Sequence, residues 1–236
     1  RGETHLGAGD DVVSLHGNAS YIGEIHSGTG SFAMTMSDTS KFSGMLDVAG
    51  EAATLTLSDS AFFSGTTENA DHLSINVTGG TLQAGADQTM VFDSLTVGSG
   101  GSIGILIDGE DGTNSTFAVN SATFADGASI AFDIDTVAEA EGSYLILTAS
   151  QLAGAEELSI GADDLPILFE TTLQTDATTI TLDVHRKTAV ELGLSPVQSA
   201  VYEAVLASAA NDRYLEVSIL QSEDVPALAR QFDQLL

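Results

Sequence analysis

The chain has no cysteine and no tryptophan, only three prolines, and 6 Lys and Arg against 34 Asp and Glu in 236 residues. The absence of cysteine excludes a disulfide scaffold, a Cys-ligated zinc site and thiol catalysis. The net charge of −28 argues against a nucleic-acid partner, because phosphate binding needs clustered Lys and Arg. No apolar run approaches the ~18 residues of a membrane-spanning helix, so the sequence predicts none.

The composition is nevertheless that of a folded protein. Hydrophobic residues make up 43% and charged residues 17%, which excludes a disordered acidic tail. A chain of 236 residues can also bury a substantial core. The chain begins Arg1-Gly2-Glu3, without a signal peptide, and we expect it to be a piece of a longer protein.

Charge and glycine divide the chain near residue 185. Residues 1–184 carry 27 acidic and 2 basic side chains, whereas residues 185–236 carry 7 and 4. Of the 24 glycines, only Gly193 follows residue 184. We therefore predict a boundary at 185–194, with β-helix rungs at 1–135, a cap at 136–184 and a helical junction at 185–236.

The glycine-rich part of the chain shows the alternation typical of β-strands. Apolar residues lie two apart, as in Leu73, Ile75 and Val77, which is the period of a strand buried on one face. Clusters of Gly, Ser and Thr, such as 78–80 and 98–101, suit corners, because Gly tolerates a positive φ. The alternation predicts strands at Val12–Leu15, Tyr21–Ile25, Phe32–Met36, Thr54–Leu57, Leu73–Val77, Phe92–Val97, Ile103–Ile107, Thr116–Val119 and Ser129–Ile134.

Two architectures fit this pattern, an antiparallel sandwich or barrel and a single-stranded β-helix. Most corners are looser than the two-residue turns of hairpins, although Asp111-Gly112 and Asp126-Gly127 occur. Similar apolar segments begin at residues 53, 72 and 94, a spacing of about twenty that suits one turn of a solenoid. We favour the β-helix, with apolar side chains stacked inward and Thr, Ser, Asn and Asp outside.

The chain changes character twice after residue 135. Residues 136–184 still predict strands, at Tyr144–Leu147, Ile167–Phe169 and Thr179–Val184, but their spacing is irregular, as expected of a cap over the last rung. Ser195-Pro196-Val197-Gln198 is a capping box that predicts a helix, and weaker helical patterns follow. The predicted fold is therefore mainly β, a parallel β-helix with a β cap and a short α-helical tail.

Three segments resemble the carboxyl-terminal part of an autotransporter passenger. Residues 142–149 (GSYLILTA) are similar to the family's G-x-Y-x-L-x-x-A cap segment, with Ile146 at the Leu position, and residues 179–184 (TITLDV) are similar to its closing strand. Residues 192–198 (LGLSPVQ) are similar to the L-G-L-(S/T)-P-x-Q that opens the helical junction before the outer-membrane barrel. These stretches are distinctive, whereas the rungs are not.

The resemblance implies a right-handed coil and a non-catalytic role. Such passengers cross the Gram-negative outer membrane unfolded and fold outside, and their last rungs and cap are thought to template the rest as an autochaperone. It implies a location at the cell surface or in the medium, and a partner in the protein's own outer-membrane β-barrel, which this chain lacks. A host-cell or glycan receptor is a further implied partner.

Two candidate catalytic motifs have simpler explanations. Residues 100–104 match the G-x-S-x-G nucleophile pattern around Ser102, but a strand rather than a helix follows, and the match is expected by chance in a Gly- and Ser-rich chain. Asp133 and Asp135 would project from one strand face, as the acid and base of β-helix glycan hydrolases do. A solvated face explains this pair more simply.

Candidate binding residues are also few. Residues 6–12, with Asp10-Asp11, partly match a calcium nonapeptide, once only, and one repeat cannot complete a shared site. Phe62-Phe63 places one aromatic outward, although packing at a corner is the simpler interpretation. The five histidines lack His-x-His or His-x-x-x-His spacing, so we expect no zinc; they are His5, His16, His26, His72 and His185.

The sequence therefore predicts no catalytic, cofactor-binding or metal-binding residues. The favoured function is a structural stalk with a folding and secretion module. An adhesin surface that uses Phe62-Phe63 or a ladder of Thr and Asn is the alternative. A glycan hydrolase that uses Asp133 and Asp135 is the third hypothesis.

Overall fold

The chain coils into successive turns that each add one strand to each of two parallel sheets. A computed structural model describes residues 2–109, 111–134, 136, 140–161, 166–222 and 224–234. Within these ranges the first sheet has nine strands, which are β1 (Gly2–His5), β3 (Ser20–His26), β5 (Lys41–Asp47), β7 (Phe62–Glu68), β9 (Gly80–Ala84), β11 (Gly101–Asp108), β12 (Thr113–Asn114), β14 (Ser129–Ile134) and β16 (Ser159–Ile160). The second sheet, counted over the same ranges, also has nine, which are β2 (Asp11–Leu15), β4 (Ser31–Met36), β6 (Ala52–Leu57), β8 (Leu73–Val77), β10 (Thr89–Val97), β13 (Thr116–Phe124), β15 (Gly142–Ala153), β17 (Phe169–Thr175) and β18 (Thr179–Arg186).

The strand register confirms the predicted parallel β-helix. In the first sheet Ser20 pairs with Lys41 and Lys41 with Phe62, so each turn takes 21 residues. The repeat shortens to 20 residues between β6 and β8, then lengthens to 27 between β10 and β13 and to 30 between β13 and β15. Among the described strands that precede residue 135, only the pair β11–β12 is antiparallel.

Apolar side chains of successive turns stack into ladders inside the coil. Met34, Leu55, Ile75 and Leu95 occupy the same register position in four consecutive turns, and none is more than 1% exposed. In the other sheet the rings of Phe42 and Phe63 stack at a centroid distance of 4.7 Å. Burial of each large side chain stabilises the coil by about 1.5–3 kcal/mol, so the stacked turns hold one another in place.

Glycines form a ladder of their own across the first sheet. Gly2, Gly23, Gly44 and Gly65 are in register in β1, β3, β5 and β7, and the last three have φ values between 144° and 157°. A Cβ on Gly44 would lie 1.8 Å from the carbonyl oxygen of Gly23, and a Cβ on Gly65 would lie 1.7 Å from that of Gly44. The neighbouring backbones therefore leave no room for a side chain at these positions.

The corners that lead into the first sheet are joined by aspartates. Asp38 and Asp59 adopt the left-handed conformation, with φ of 57° and 58°, one turn apart. The backbone N–H of Gly17 donates to Asp38 Oδ2 at 2.8 Å, and that of Asp38 donates to Asp59 Oδ2 at 3.1 Å. Each aspartate thus satisfies a backbone donor of the preceding turn.

An antiparallel cap closes the carboxyl end of the coil. β15 pairs in parallel with β13 on one side and antiparallel with β18 on the other, and β17 then pairs antiparallel with β18. Phe169, Ile180 and Leu182 are fully buried beneath it. The predicted strand at Ile167–Phe169 is displaced, because residues 167–168 belong to the turn and β17 begins at Phe169.

Three helices form the predicted tail. They are α1 (Pro196–Ala209), α2 (Arg213–Leu220) and α3 (Val225–Gln234), and α1 begins with the predicted capping box of Ser195 and Gln198. The Tyr202 ring stacks on Phe232 of α3 at 5.8 Å, and its hydroxyl donates to the Lys187 carbonyl oxygen at 2.6 Å. The tail therefore packs against Lys187, in the segment that connects β18 of the cap to α1. Within the described residues, no helix combines the length and the apolarity that crossing a membrane requires.

Candidate functional site

The predicted nucleophile motif lies in a regular strand. Ser102 is the second residue of β11, and its Oγ is 2.7 Å from the Oγ of Ser129 on the neighbouring strand β14. A nucleophile elbow needs a sharp turn into a helix, whereas the backbone here continues as a strand to Asp108. The two serines form an outward-facing polar pair between adjacent turns.

The predicted carboxylate pair is described only in part. Asp133 is exposed on β14, where its register partner on β11 is Leu106. Asp135 lies outside the described residues. The hydrolase hypothesis on this pair therefore stays a prediction.

The partial calcium motif occupies a corner of the first turn. Asp10 Oδ1 accepts hydrogen bonds from the Ser31 hydroxyl at 2.7 Å and the Ser31 backbone N–H at 3.2 Å. These hydrogen bonds lower the pKa of Asp10. A Cβ on Gly28, one turn later, would lie 1.8 Å from the Gly7 carbonyl oxygen, whereas a Cβ on Gly7 or Gly9 would meet nothing within 4 Å. The corner residues thus bind the next turn of the chain itself.

The two adjacent phenylalanines face opposite ways, as alternation predicts. Phe63 is fully buried against Phe42. Phe62 points to the other face, where it is partly buried between its register partners Lys41 and Thr81. The predicted outward aromatic is therefore Phe62.

Two of the histidines meet across adjacent turns. His5 on β1 and His26 on β3 are register partners, and their rings stack at a centroid distance of 4.6 Å with an interplanar angle of 14°. His16 and His72 are exposed elsewhere, and His185 lies 3.1 Å from Glu141. His5 and His26 are thus neighbours in the fold although their spacing in the sequence matches neither histidine motif.

Carboxylates surround this histidine pair. Glu3 Oε1 is 2.8 Å from His5 Nε2 and 3.5 Å from His26 Nε2, and Glu24 Oε2 is 3.6 Å from the same His26 nitrogen. On the other side of the ring, His26 Nδ1 is 2.9 Å from Asp47 Oδ2. We call Glu3, His5, Glu24, His26 and Asp47 the histidine cluster. Among the described residues, Glu3, His5 and His26 are the only group of three whose ligand atoms could share one metal ion.

Hydrogen bonds orient the centre of the histidine cluster. Asn69 Nδ2 donates to Asp47 Oδ1 at 2.8 Å, which fixes the carboxylate that contacts His26. The hydrogen bond with Asp47 raises the pKa of His26. Burial acts to raise the pKa of Asp47, but the hydrogen bonds from Asn69 and His26 outweigh it and lower that pKa. His26 Nε2 is shielded from water and makes no hydrogen bond.

The 21-residue repeat is the signal that would have located this cluster. Glu3-x-His5 and Glu24-x-His26 are the same motif one turn apart, and Asp47 follows His26 by another 21 residues. Residues at the same position of successive turns become neighbours in a β-helix. Spacing within a single strand could not reveal them.

An open groove runs beside the cluster along the first sheet. Its floor includes Gly23, Gly44 and Gly65, and Glu3 and Glu24 form part of its wall. Because glycine has no side chain, the groove leaves the two glutamates accessible from outside. Comparisons with known proteins add no relative, since no protein-family model, curated protein or solved structure matches the chain.

Proposed function

We propose that this chain is a non-catalytic stalk that carries, at its carboxyl end, the module that starts folding of an exported β-helix. The observation that supports the proposal most is the order of the architecture. Parallel turns lead into an antiparallel cap, and a helical junction follows. This is the order that the resemblance to autotransporter passengers implies.

The residues that carry the resemblance occupy structural positions in the cap and junction. Tyr144 is 4% exposed and its hydroxyl donates to the Ala140 carbonyl oxygen at 3.0 Å, while Ile146 and Ala149 are buried on the same strand. Gly193 has a positive φ of 65° in the turn before α1. These contacts give a physical reason for the motifs that does not depend on catalysis.

The number of residues between paired strands gives a physical reason for the cap to fold first. β17 and β18 pair across a short turn, in which Asp176 Oδ1 accepts from the backbone N–H groups of Thr178 and Thr179, both at 2.7 Å. A turn of the coil must instead close a loop of about twenty or more residues before its strands pair, which is slower. A preformed cap gives the preceding turn a surface on which to stack.

A matched pair of substitutions in β15 tests this proposal in the full-length protein displayed on Gram-negative cells. Leu147 is fully buried and Leu145 is 42% exposed on the same strand. We expect Leu147→Asp to abolish protease-resistant surface display, because it places a charge in the cap core, and Leu145→Asp to leave display largely unchanged. Normal display of Leu147→Asp, or of a variant that lacks residues 136–184, would contradict the proposal.

A further inference from the structure

We propose that the histidine cluster is a binding site for a zinc-class divalent transition metal, which links the first two turns of the coil. The ligands would be His26 Nε2, His5 Nε2 and a carboxylate oxygen of Glu3, with Glu24 as a fourth ligand. His5 and Glu3 belong to β1, whereas His26 and Glu24 belong to β3. The site does not depend on the proposed export function.

The distances from His26 Nε2 to the two glutamates already approach those of a metal site. Four ligand atoms bound tetrahedrally at about 2.1 Å lie about 3.4 Å from one another. The distances from His26 Nε2 to Glu3 Oε1 and Glu24 Oε2 are 3.5 and 3.6 Å. The His5 side chain is 66% exposed, so its ring can rotate out of the stack to direct Nε2 at the same point.

The environment of His26 favours metal binding at Nε2. When Nδ1 carries the proton that is donated to Asp47, the lone pair of Nε2 is free to bind a metal. That nitrogen is shielded from water and lacks a hydrogen-bond partner, which is costly for a buried polar atom unless something binds it. A carboxylate that holds the second nitrogen of a metal-binding histidine is a common supporting contact, and Asn69 holds this carboxylate.

The chemistry of the ligands indicates the kind of metal. Imidazole nitrogen with carboxylate oxygen suits Zn²⁺ and its neighbours in the first transition series, whereas Ca²⁺ and Mg²⁺ prefer oxygen ligands alone. Glu3, Glu24 and Asp47 also place three carboxylates around two imidazoles, which attracts a divalent cation. Because the ligands come from two turns, the site forms only when those turns have stacked.

Calorimetric titration of the metal-free chain with Zn²⁺ tests the proposal, with excess Ca²⁺ present to occupy weak carboxylate sites. We expect one zinc ion per chain, and at least about tenfold weaker binding for His26→Gln and His5→Gln. His16→Gln and His72→Gln are matched controls on exposed histidines elsewhere and should bind like the parent. Asp47→Asn should weaken binding, whereas Glu68→Gln, at the next position of the same ladder, should not.

A spectroscopic measurement protects the test against variants that fail to fold. Co²⁺ bound to the unsubstituted chain should give the intense visible absorption of four-coordinate nitrogen and oxygen ligation, and Zn²⁺ should abolish it. Two outcomes would overturn the proposal. One is zinc affinity in His5→Gln and His26→Gln equal to that of the controls, and the other is displacement of the zinc by Ca²⁺.

Discussion

Gly44 occupies a position in β5 that no other residue can share without movement of β3. Its φ of 151° is open to glycine, and a Cβ there would lie 1.8 Å from the Gly23 carbonyl oxygen. The aspartate corners show a second kind of residue-scale constraint, because Asp38 and Asp59 combine a left-handed backbone with a side-chain acceptor for the preceding turn. Both constraints act between turns rather than within one strand.

Comparison of Gly44→Ala with Gly17→Ala separates the cost of a steric contact between turns from the cost of a positive φ. We expect Gly44→Ala to lower the free energy of unfolding by at least about 3 kcal/mol, because backbone of β3 or β5 must shift. Gly17 also has a positive φ, of 63°, but a Cβ there meets nothing within 4 Å. Gly17→Ala should therefore cost only about 1 kcal/mol. Urea unfolding measures both, and equal losses would show that the contact with Gly23 is unimportant.

At the scale of elements, α1 is held to the chain that leaves the cap by a buried tyrosine. Tyr202 is 2% exposed, and burial raises its pKa to about 12. Its hydroxyl must keep its proton to donate to the Lys187 carbonyl oxygen. The attachment of the tail is thus sensitive to alkaline pH.

The direction of this pH dependence follows because the pKa of Tyr202 is about 12 in the folded chain and about 10 in the unfolded chain. Below about pH 10 both the folded and the unfolded chain keep the Tyr202 proton, so its full contribution to stability is present. Between about pH 10 and 12 only the unfolded chain loses the proton, and the free energy of unfolding of the tail should fall by about 2–3 kcal/mol. Far-UV circular dichroism of the helices during urea unfolding at each pH measures this loss.

Two phenylalanine variants provide the comparison. Tyr202→Phe should cost about 1 kcal/mol at neutral pH, because the Lys187 carbonyl loses its donor, and it should remove this part of the alkaline loss. Tyr214 is 92% exposed, so Tyr214→Phe should retain the loss. Parallel pH profiles for Tyr202→Phe and the unsubstituted chain would assign the alkaline loss to other groups.

The elements also show which parts of the fold can be predicted from sequence. The strands β2, β4, β6 and β8 alternate along the chain, and all four were predicted; one face is apolar and buried in β4, β6 and β8, and partly buried in β2. Strands β5, β7 and β9 of the first sheet were missed. In β5 and β7 a central glycine and small polar residues break the alternation, for steric reasons that only the stacked turns reveal.

The histidine cluster escaped prediction for a related reason. Its residues are separated by 21 positions, and the repeat length was known from sequence only as about twenty. An error of one residue moves a side chain to the opposite face of a strand, so an approximate repeat cannot place side chains together. The cap could be placed, but its reversal of strand direction could not, because apolar alternation is the same in parallel and antiparallel strands.

At the scale of the whole molecule, the early turns are interchangeable units. Three successive turns share the 21-residue length and the position of Gly23, Gly44 and Gly65, and two of them share the corner aspartate, at Asp38 and Asp59. The stability of such a coil is approximately a sum over turns and their interfaces.

Duplication of residues 23–43, inserted directly after residue 43, tests this interchangeability. We expect a folded chain with one extra turn, an unchanged cap and a urea midpoint at or above that of the parent, because every ladder is preserved. The same duplication without Met34 is the control, since it turns the following residues of the copied strand to the wrong face. If both insertions unfold at the same urea concentration, register does not govern the coil.

The antiparallel cap at the carboxyl end makes the two ends of the described coil mechanically different. Tension applied through β1 acts on a strand whose neighbour among the described strands is β3, and each 21-residue turn that detaches would free about 70 Å of extended chain while the remaining turns stay stacked. The same load would reach the antiparallel β17–β18 hairpin only after the turns before it had peeled away. Such a molecule yields stepwise under tension and absorbs work at every step, while its closed end stays intact.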